Sequence, residues 1–368
     1  MGKRKRVLHV LFHGGLGGCE SLCLDLVKHL DAARWDSEVV FLSEEGGPVR
    51  DRLQELGTSI HVCVYERRNR LSFVRRFARL CRAAKPDVVL THSFGLHLFV
   101  AMGARLAGVK RVLVSVQNPP PPGAALRRKT ALLAQLSRPF VDRELACSNY
   151  VSDKVVGQYR LPRRRVSVLW NWCDTEAIGE RAGRAREART DVGPIIGIVA
   201  RLDPIKDHAT VLRAFQLFRH EYCGARLRLI GDGPTRAKLE ALARELSLCE
   251  SVEFAGARTD VPEQVGQLDI FVYATTANEG FGIVLAEAMA AGVPIVATDC
   301  GPCAEVLDNG RAGLLVSPGD PKALAEGLKT LWEDAGLRTR LAASALRTAH
   351  ARYSIKHAVE NLETYLDA

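Results

Sequence analysis

Two carboxylates eight positions apart, Glu279 and Glu287, stand in the segment 278–294, NEGFGIVLAEAMAAGVP, of a 368-residue chain. Glu279 falls in a loop after an apolar, strand-like run that ends at Tyr273, and Gly280 and Gly282 open a helical run behind it. Glycines there let a ligand come close to the backbone, and the unpaired N–H groups of a first helical turn face an anion. Glu287 lies a little over one turn further on. Acids so placed can grip two parts of one ligand, such as the hydroxyls of a sugar and those of a ribose. The competing reading makes both of them solvated acids favoured by the helix macrodipole. Against it, Glu287 interrupts the otherwise apolar run 283–291, where a bare surface acid is not expected.

Arg201 and Lys206 follow another apolar run, 195–199, and so sit at its carboxyl end. Two fixed cations at a strand end stabilise the negative charge that develops on a departing diphosphate; the bland alternative is a pair of ordinary loop cations. A glycine-rich turn, Gly231-Asp232-Gly233-Pro234, follows the next apolar run.

These residues need a scaffold that gathers strand ends. Short β-rich runs at 7–12, 37–42, 88–91 and 112–116 alternate with helical patterns such as 20–30 and 71–84. Runs at 195–199, 227–230, 270–273 and 295–298 alternate with helical patterns at 209–222, 236–245 and 284–290. This alternation predicts an α/β chain of two Rossmann-like, doubly wound parallel-sheet domains facing a cleft, with ligands at the carboxyl ends of the strands. Residues 176–191 are charged, rich in Ala and Gly and without a strong apolar period, and a new strand opens after Gly193-Pro194. The expected division is therefore 1–180, 181–350 and a C-terminal helix in 351–368 that packs back toward the first domain.

Composition fits two cores: hydrophobic residues make up 47% of the chain and charged residues 25%. No apolar run reaches the roughly 20 residues of a membrane span. Met1–Arg6 followed by 7–12 imitates a secretory signal, but the apolar stretch is short, contains His9 and runs into Gly14-Gly15. Arg6 also spoils a myristoylation pattern at Gly2. Among ten cysteines one CxxC pair occurs, Cys300 and Cys303, without a second pair of ligands at matching spacing. Chance proximity in a reduced protein is the expectation, and no metal site is predicted.

Charge is unevenly spread. Residues 1–170 hold 29 Lys+Arg against 14 Asp+Glu, and the remainder 22 against 28. The first half is therefore expected to meet something anionic. Arg75, Arg79 and Arg82 share one helical face and Phe73, Phe77, Leu80 and Ala84 another, with Arg67, Arg68 and Arg70 nearby. Arg127-Arg128-Lys129 precedes Leu132, Leu133 and Leu136. These are either solvated faces or a surface for an anionic bilayer or a lipid-pyrophosphate acceptor. Nucleic acid is not an expected partner, because no recognition-helix, RRM or zinc-finger pattern occurs and the positive charge avoids the half with the best motifs. Gly14–Gly18 does not spell the GxGxxG of a dinucleotide enzyme.

The stretch EGFGIVLAEAMAAGVPIVAT, 279–298, resembles the retaining GT-B glycosyltransferases of family 4, and the likeness continues in order along the chain. Gly17-Gly18-Cys19-Glu20 resembles the family's first glycine-rich loop, and Pro86-Asp87-Val88-Val89 with His92 its PDVVHxH segment. Val168-Leu169-Trp170-Asn171 with Asp174 resembles the NGVD stretch, Val199-Ala200-Arg201-Leu202 with Lys206 the GRL element, and Gly231–Pro234 the GxGP turn. The resemblance implies that Arg201 and Lys206 hold the donor diphosphate, Glu287 the ribose and Glu279 the donor sugar. It implies Gly282 and Ile283 amides beside sugar and phosphate, Gly231 in the donor site, and 258–261, ending at Val261, near the base. Gly17 and Gly18 would face the diphosphate or the acceptor.

Two positions depart from that pattern. Where relatives carry a His after the strand 112–116, this chain has Gln117, then Asn118 and four prolines. An amide can hydrogen-bond a sugar hydroxyl but cannot shuttle a proton. His92 either compensates as a catalytic group or is a structural hydrogen-bonder, and Trp172 stands where a Gly is usual. The implied activity is transfer of a hexose-type sugar, with retention and without metal or cofactor, from a UDP-, GDP- or other nucleoside-diphosphate sugar to a hydroxyl. Its setting would be glycan, lipid-linked saccharide or glycoconjugate synthesis, in the cytoplasm or at the inner face of the membrane. The acceptor would be free or lipid-linked, with peripheral contact to an anionic membrane through the basic half. The alternatives are an epimerase or hydrolase on the same fold, which would turn over donor without acceptor, and a non-catalytic nucleotide-binding protein.

Overall fold

The computed structural model describes residues 4–15, 17–190 and 193–368. Expectations that touch Met1, Gly2, Lys3, Leu16, Asp191 or Val192 lie outside the described residues. The chain divides into two compact units, residues 1–171 with 355–368, and residues 172–354.

In the first unit, strands and helices alternate as β1 (Lys5–Leu11), α1 (Gly18–His29), β2 (Trp35–Phe41), α2 (Pro48–Glu55), β3 (Ser59–Val62), α3 (Arg70–Ala84) and β4 (Val88–Thr91). They continue as α4 (His97–Leu106), β5 (Arg111–Val116), α5 (Ala124–Ser137), β6 (Arg143–Ala146), α6 (Asn149–Tyr159) and β7 (Val166–Val168). The seven strands form one sheet in the order β3-β2-β1-β4-β5-β6-β7. Every pairing is parallel. Val7, Leu8, Val10, Val39, Val40, Val89, Val112 and Leu113 are buried in it, the near-continuous apolar reading of strands covered on both faces.

The second unit begins with α7 (Thr175–Glu187) and β8 (Ile195–Val199), then α8 (His208–Glu221), β9 (Arg226–Ile230), α9 (Arg236–Glu245), β10 (Val252–Gly256) and α10 (Val261–Gly266). It continues with β11 (Ile270–Tyr273), α11 (Ile283–Ala290), β12 (Ile295–Thr298), α12 (Cys303–Val306), β13 (Leu314–Val316), α13 (Pro321–Glu333) and α14 (Ala335–Arg352). Its six parallel strands run β10-β9-β8-β11-β12-β13. Both sheets reverse their winding beside their first strand, between β1 and β4 and between β8 and β11. Such a switch point leaves a crevice at the strands' carboxyl ends, since the connections on its two sides leave in opposite directions. The two-domain α/β architecture expected from the alternation is thus the one observed.

The boundary moves. The sequence places it at 180, within the charged stretch 176–191, and it falls between Asn171 and Trp172. Most of that stretch is the helix α7, started by the Asp174 side chain, which accepts a hydrogen bond from Ala177 N–H at 3.0 Å. Small residues seat it: a side chain at Gly266 of α10 would collide with the Ala182 carbonyl of α7. At the other end α15 (Ile355–Asp367) belongs to the first unit. Its apolar stripe of Ile355, Ala358, Leu362 and Leu366 is buried, and α15 packs on α1. Arg34 pairs with Glu363 and Asp367, and Lys5 reaches Asp367 at 2.8 Å. Among the described residues no helix is long and apolar enough to cross a membrane.

Replacing Gly266 by Ala should push α7 from α10 and lower stability by about 1–3 kcal/mol, the usual cost of overpacking. Urea unfolding monitored by circular dichroism reads this directly. An unchanged midpoint would mean that the close approach does not matter.

Candidate functional site

The loops after β8 and β11 meet at the switch point of the second unit, and three hydrogen bonds hold the junction. Ile205 O accepts from Thr276 N–H at 2.9 Å and from Thr275 Oγ1 at 3.1 Å. Thr298, at the end of β12, in turn receives the Thr275 N–H on its Oγ1 at 3.1 Å. Backbone groups and two short threonine hydroxyls therefore fix where Lys206 and Glu279 stand.

Lys206 Nζ pairs with Glu279 Oε2 and donates to the Tyr273 hydroxyl at 2.9 Å. The Tyr273 hydroxyl donates to the same Glu279 Oε2 at 2.6 Å, and Gly280 N–H reaches Oε1 at 3.1 Å. Lys206 also lies 5.1 Å from the centre of the Tyr273 ring, a cation–π contact. Burial pushes the Glu279 carboxyl up, but Lys206, Tyr273 and the Gly280 amide outweigh it and hold the group below its ordinary range. Burial and the neighbouring carboxylate keep Tyr273 protonated, well above the usual phenol. The product is an ionised, desolvated carboxylate with both oxygens engaged. Tyr273 was not among the residues read from the sequence; its signal is a tyrosine ending a buried strand, whose hydroxyl must find a partner.

Helix α11 starts directly behind this cluster. Its N-cap, Gly282, has φ 80 and no side chain to cap the first turn. A Cβ at Gly282 would stand 2.6 Å from the Tyr273 hydroxyl, so the position demands glycine twice over. The helix is apolar nearly all round, with Leu285, Ala286, Ala288, Met289 and Ala290 buried. Glu287 is half-buried on it. The opening turn therefore points an uncapped N-terminus, anchored by a buried body, at the space beside Glu279. Arg201 differs from Lys206: its side chain is 70% exposed, with Asp203 3.9 Å away.

Gly231 lies at the end of β9 with φ 142, where a side chain would collide with the Ala200 carbonyl; its N–H donates to Gly256 O at 2.8 Å. This brings the 231–234 turn against the residues preceding Arg201, and Leu202 N–H donates to Asp232 O at 3.0 Å. Before Val261, which opens α10, Arg258 holds Asp260 through two hydrogen bonds of 2.8 and 2.7 Å. Those bonds keep the Asp260 carboxyl below its ordinary range.

The remaining expected residues belong to the first unit, at its own switch point. His92, after β4, is buried and stacked on His9 of β1, with His9 Nδ1 3.4 Å from His92 Nε2. Burial takes His92 down to about 4 and His9, with His92 beside it, to about 3. Both rings are neutral near pH 7, so His92 offers hydrogen bonds there rather than a readily shuttled proton. Gly17 is the N-cap of α1, and the Glu20 carboxylate curls back onto it; Gly18 is exposed. Gln117 takes Asn171 Nδ2–H on its Oε1 at 2.7 Å and donates from Nε2 to Ser115 Oγ at 2.7 Å, while Asn118 is exposed. A cavity of about 580 Å3 lies against this switch point, lined by Phe12, Glu20, Tyr65, Arg67, His92 and Phe94 among others. Trp172 is buried. Among the described residues one grouping could hold a metal ion, His9, Cys23 and His92, with ligating atoms within 4.8 Å of one another. Neither the two glutamates nor Cys300 and Cys303 belong to it.

The chain matches two families over most of its length. The family described as Glycosyl transferases group 1 matches residues 181–348, and that described as Glycosyltransferase Family 4 matches residues 16–177. A similar protein is EpsF of Bacillus subtilis, named as a glycosyltransferase, at 29% identity over 80% of this chain and 79% of its own length. Another is the N-acetylgalactosamine-N,N'-diacetylbacillosaminyl-diphospho-undecaprenol 4-alpha-N-acetylgalactosaminyltransferase of Campylobacter jejuni, at 28% identity over 79% of both chains. Among solved structures, Anabaena HepE in complex with UDP and glucose superposes with a TM-score of 0.85 at 20% identity, over 99% of this chain and all of the other.

The Glu279 cluster carries a pH signature. A carboxyl held below its ordinary value of 4.5 contributes stability that is complete above that value and lost as the pH falls through the depressed one. Glu279→Gln removes this titration. The stability difference between wild type and variant, from urea unfolding between about pH 6 and pH 3, should therefore shrink toward the acid end. A difference constant across that range would show that Glu279 does not titrate with folding.

Proposed function

The chain belongs to the GT-B glycosyltransferases of group 1, and we propose that its second unit binds a nucleoside-diphosphate hexose. The hexose would pass, with retention of its anomeric configuration, to a hydroxyl acceptor received by the first unit. The observation that carries this reading is the Lys206–Tyr273–Glu279 cluster beside the uncapped N-terminus of α11. Fixed positive charge and backbone N–H groups suit a diphosphate. A carboxylate kept ionised beside them suits the hydroxyls of the sugar attached to it.

In this reading Arg201 and Lys206 hold the diphosphate with the amides of Gly282 and Ile283, and Glu287 takes the ribose hydroxyls. The 231–234 turn and the backbone of 258–261 border the base. Because each Glu279 oxygen already accepts a hydrogen bond, Glu279 is better suited to orienting the sugar than to attacking it. A front-face displacement then follows. The bond from the anomeric carbon to the donor phosphate breaks, and its electron pair leaves on the phosphate oxygen. The acceptor oxygen bonds to the same face, and its proton passes to the departing phosphate. Arg201, Lys206 and the helix terminus stabilise the charge on the diphosphate as it leaves, so we propose that no metal or cofactor is required.

On the acceptor side, Glu20 over Gly17 makes the first turn of α1 a poor place for a phosphate and a suitable one for a hydroxyl. Neutral His92 and the Gln117–Asn118 loop would supply further hydrogen bonds. HepE was solved with UDP and glucose, which makes UDP the first nucleotide to try. The C. jejuni relative is named for a diphospho-undecaprenol-linked acceptor. With the basic first half, this supports a lipid-linked acceptor and peripheral contact with an anionic membrane from the cytoplasmic side.

Thermal unfolding with UDP, GDP, ADP and dTDP, each with and without EDTA, tests the reading. One nucleotide at 100 times its dissociation constant should stabilise the fold by about 2.7 kcal/mol, with EDTA making no difference. Arg201→Ala and Glu287→Ala should each abolish that shift. If no nucleotide raises the transition, or the variants respond like wild type, the donor site is not here.

A further inference from the structure

Three buried side chains meet behind the wall of the first unit's crevice. His9 stands in the middle of β1 and pairs in register with Leu90 of β4, so His92, two residues further on, lies on the same side of the sheet. Leu11 shares that side of β1, and helix α1 packs there with Cys23 buried against Leu11, Val39 and Phe41. Among the described residues His9, Cys23 and His92 each present a ligating atom within 4.8 Å of the other two, and all three are buried.

Packing alone does not account for this group. Polar atoms taken out of water find partners in nearly every case. Here, among the described residues, His9 Nε2 is buried without one, and the 3.4 Å contact of His9 Nδ1 with His92 Nε2 is long for a hydrogen bond. Both rings are neutral near pH 7, so each keeps a nitrogen lone pair. Two nitrogens bound to one tetrahedral zinc at the usual bond lengths stand roughly 3.3–3.4 Å apart, which matches the separation found. Cys23 Sγ, within 4.8 Å of a nitrogen on each ring, supplies a third ligand. The charge balances as well. A thiolate at Cys23 and the Glu20 carboxylate, buried on the same helix and near enough to act on that thiol, offset a divalent cation. The way in is the cavity of about 580 Å3, which His92, Cys19 and Glu20 line while His9 and Cys23 stand behind them.

We propose that His9, Cys23 and His92 bind one divalent cation of the zinc type, with the fourth position of its tetrahedron left to water from the cavity. Two imidazoles and a thiol are borderline-soft ligands that select zinc over magnesium and calcium, which take oxygen. On binding, a bond forms from Cys23 Sγ to the ion and the thiol proton passes to water. The ion ties β1, α1 and the loop after β4 together at the floor of the crevice. This site is separate from the donor reading, in which Arg201, Lys206 and a helix terminus hold the diphosphate without an ion.

Calorimetric titration of Zn2+ into the full chain, stripped with EDTA and kept reduced with a phosphine, tests the site, and Co2+ in its place reports the ligands by absorption. Wild type should take one ion per chain, unfold at a higher temperature with it, and show with Co2+ the charge-transfer band of a thiolate ligand. Mg2+ and Ca2+ should do none of this. Cys23→Ala should abolish the band and, like His9→Gln, weaken Zn2+ binding at least about 100-fold, beyond what loss of an outer hydrogen bond costs. Cys223→Ser, Cys249→Ser and Cys300→Ser together remove free thiols outside the group and should leave band and affinity unchanged. Circular dichroism checks the fold of each variant, and the wild-type cobalt band needs no variant. No saturable Zn2+ binding by wild type, a Co2+ complex without the thiolate band, or equal binding by Cys23→Ala overturns the proposal. A band lost with the three outer cysteines also overturns it, since the thiol ligand would then lie there. A chain that binds nucleotide but no Zn2+ loses this inference alone, and one that binds Zn2+ but no nucleotide loses the donor reading alone.

Discussion

Taking a carboxylate out of water is expensive unless hydrogen bonds and opposite charge replace what hydration supplied. At Glu279 the replacement is complete, with Lys206 and the Tyr273 hydroxyl on one oxygen and the Gly280 amide on the other. The Gly280 amide and the Tyr273 hydroxyl are close in sequence, but Lys206 lies 73 residues before Glu279, and only the topology of the sheet brings it there. Tyr273 ends β11, Lys206 follows β8, and these strands are neighbours because the winding reverses between them. An order that separated β8 from β11 would leave the carboxylate buried without its cation.

The same constraint explains the glycines. A loop that must lie over a buried tyrosine while opening a helix has no room for a Cβ, and Gly282 shows it through both its positive φ and its approach to the Tyr273 hydroxyl. The turn at Gly231 is pressed against Ala200 for the corresponding reason on the other side of β8. Because the body of α11 is buried and apolar, its N-terminus cannot shift to relieve these contacts. Rigidity here is useful: donors and dipoles already in place need no reorganisation when charge develops.

What could be read from the sequence follows from what each signal measures. The central strands are continuous apolar runs, and their observed spans lie within one or two residues of those expected. The edge strand β3 is only partly buried and carries no such run, so pattern reading passed it by. Helix α7 does not show as an apolar period because its inward face is Thr175, Ile178, Ala182 and Ala185, mostly too small to register, beneath a charged outer face. Glu279, Lys206 and the glycines were legible because they follow apolar strand runs directly and stand in motifs that resemble those of a known family. Tyr273 was not, since a strand tyrosine is common and its role depends on Lys206, 67 residues away, as well as on nearby Glu279. His92 was visible as a candidate, but its neutral state depends on the stacking of His9 from an adjacent strand.

The two switch points also differ in a way that chemistry requires. The one in the second unit collects charge: a lysine, a paired glutamate, an exposed arginine and a helix terminus. The one in the first unit is mixed, with two uncharged imidazoles beside apolar and aromatic walls, Arg67 among the lining residues and an acid of its own at the first turn of α1. A phosphate at that turn would be repelled by the acid, while a hydroxyl would meet hydrogen-bonding partners in the neutral imidazoles. Among the described residues lining this crevice Arg67 is the one Lys or Arg, so most of the positive charge of the first half lies on other surfaces of the unit. The excess charge of the first half thus makes physical sense as a property of its outer surface, separate from the chemistry at its strand ends.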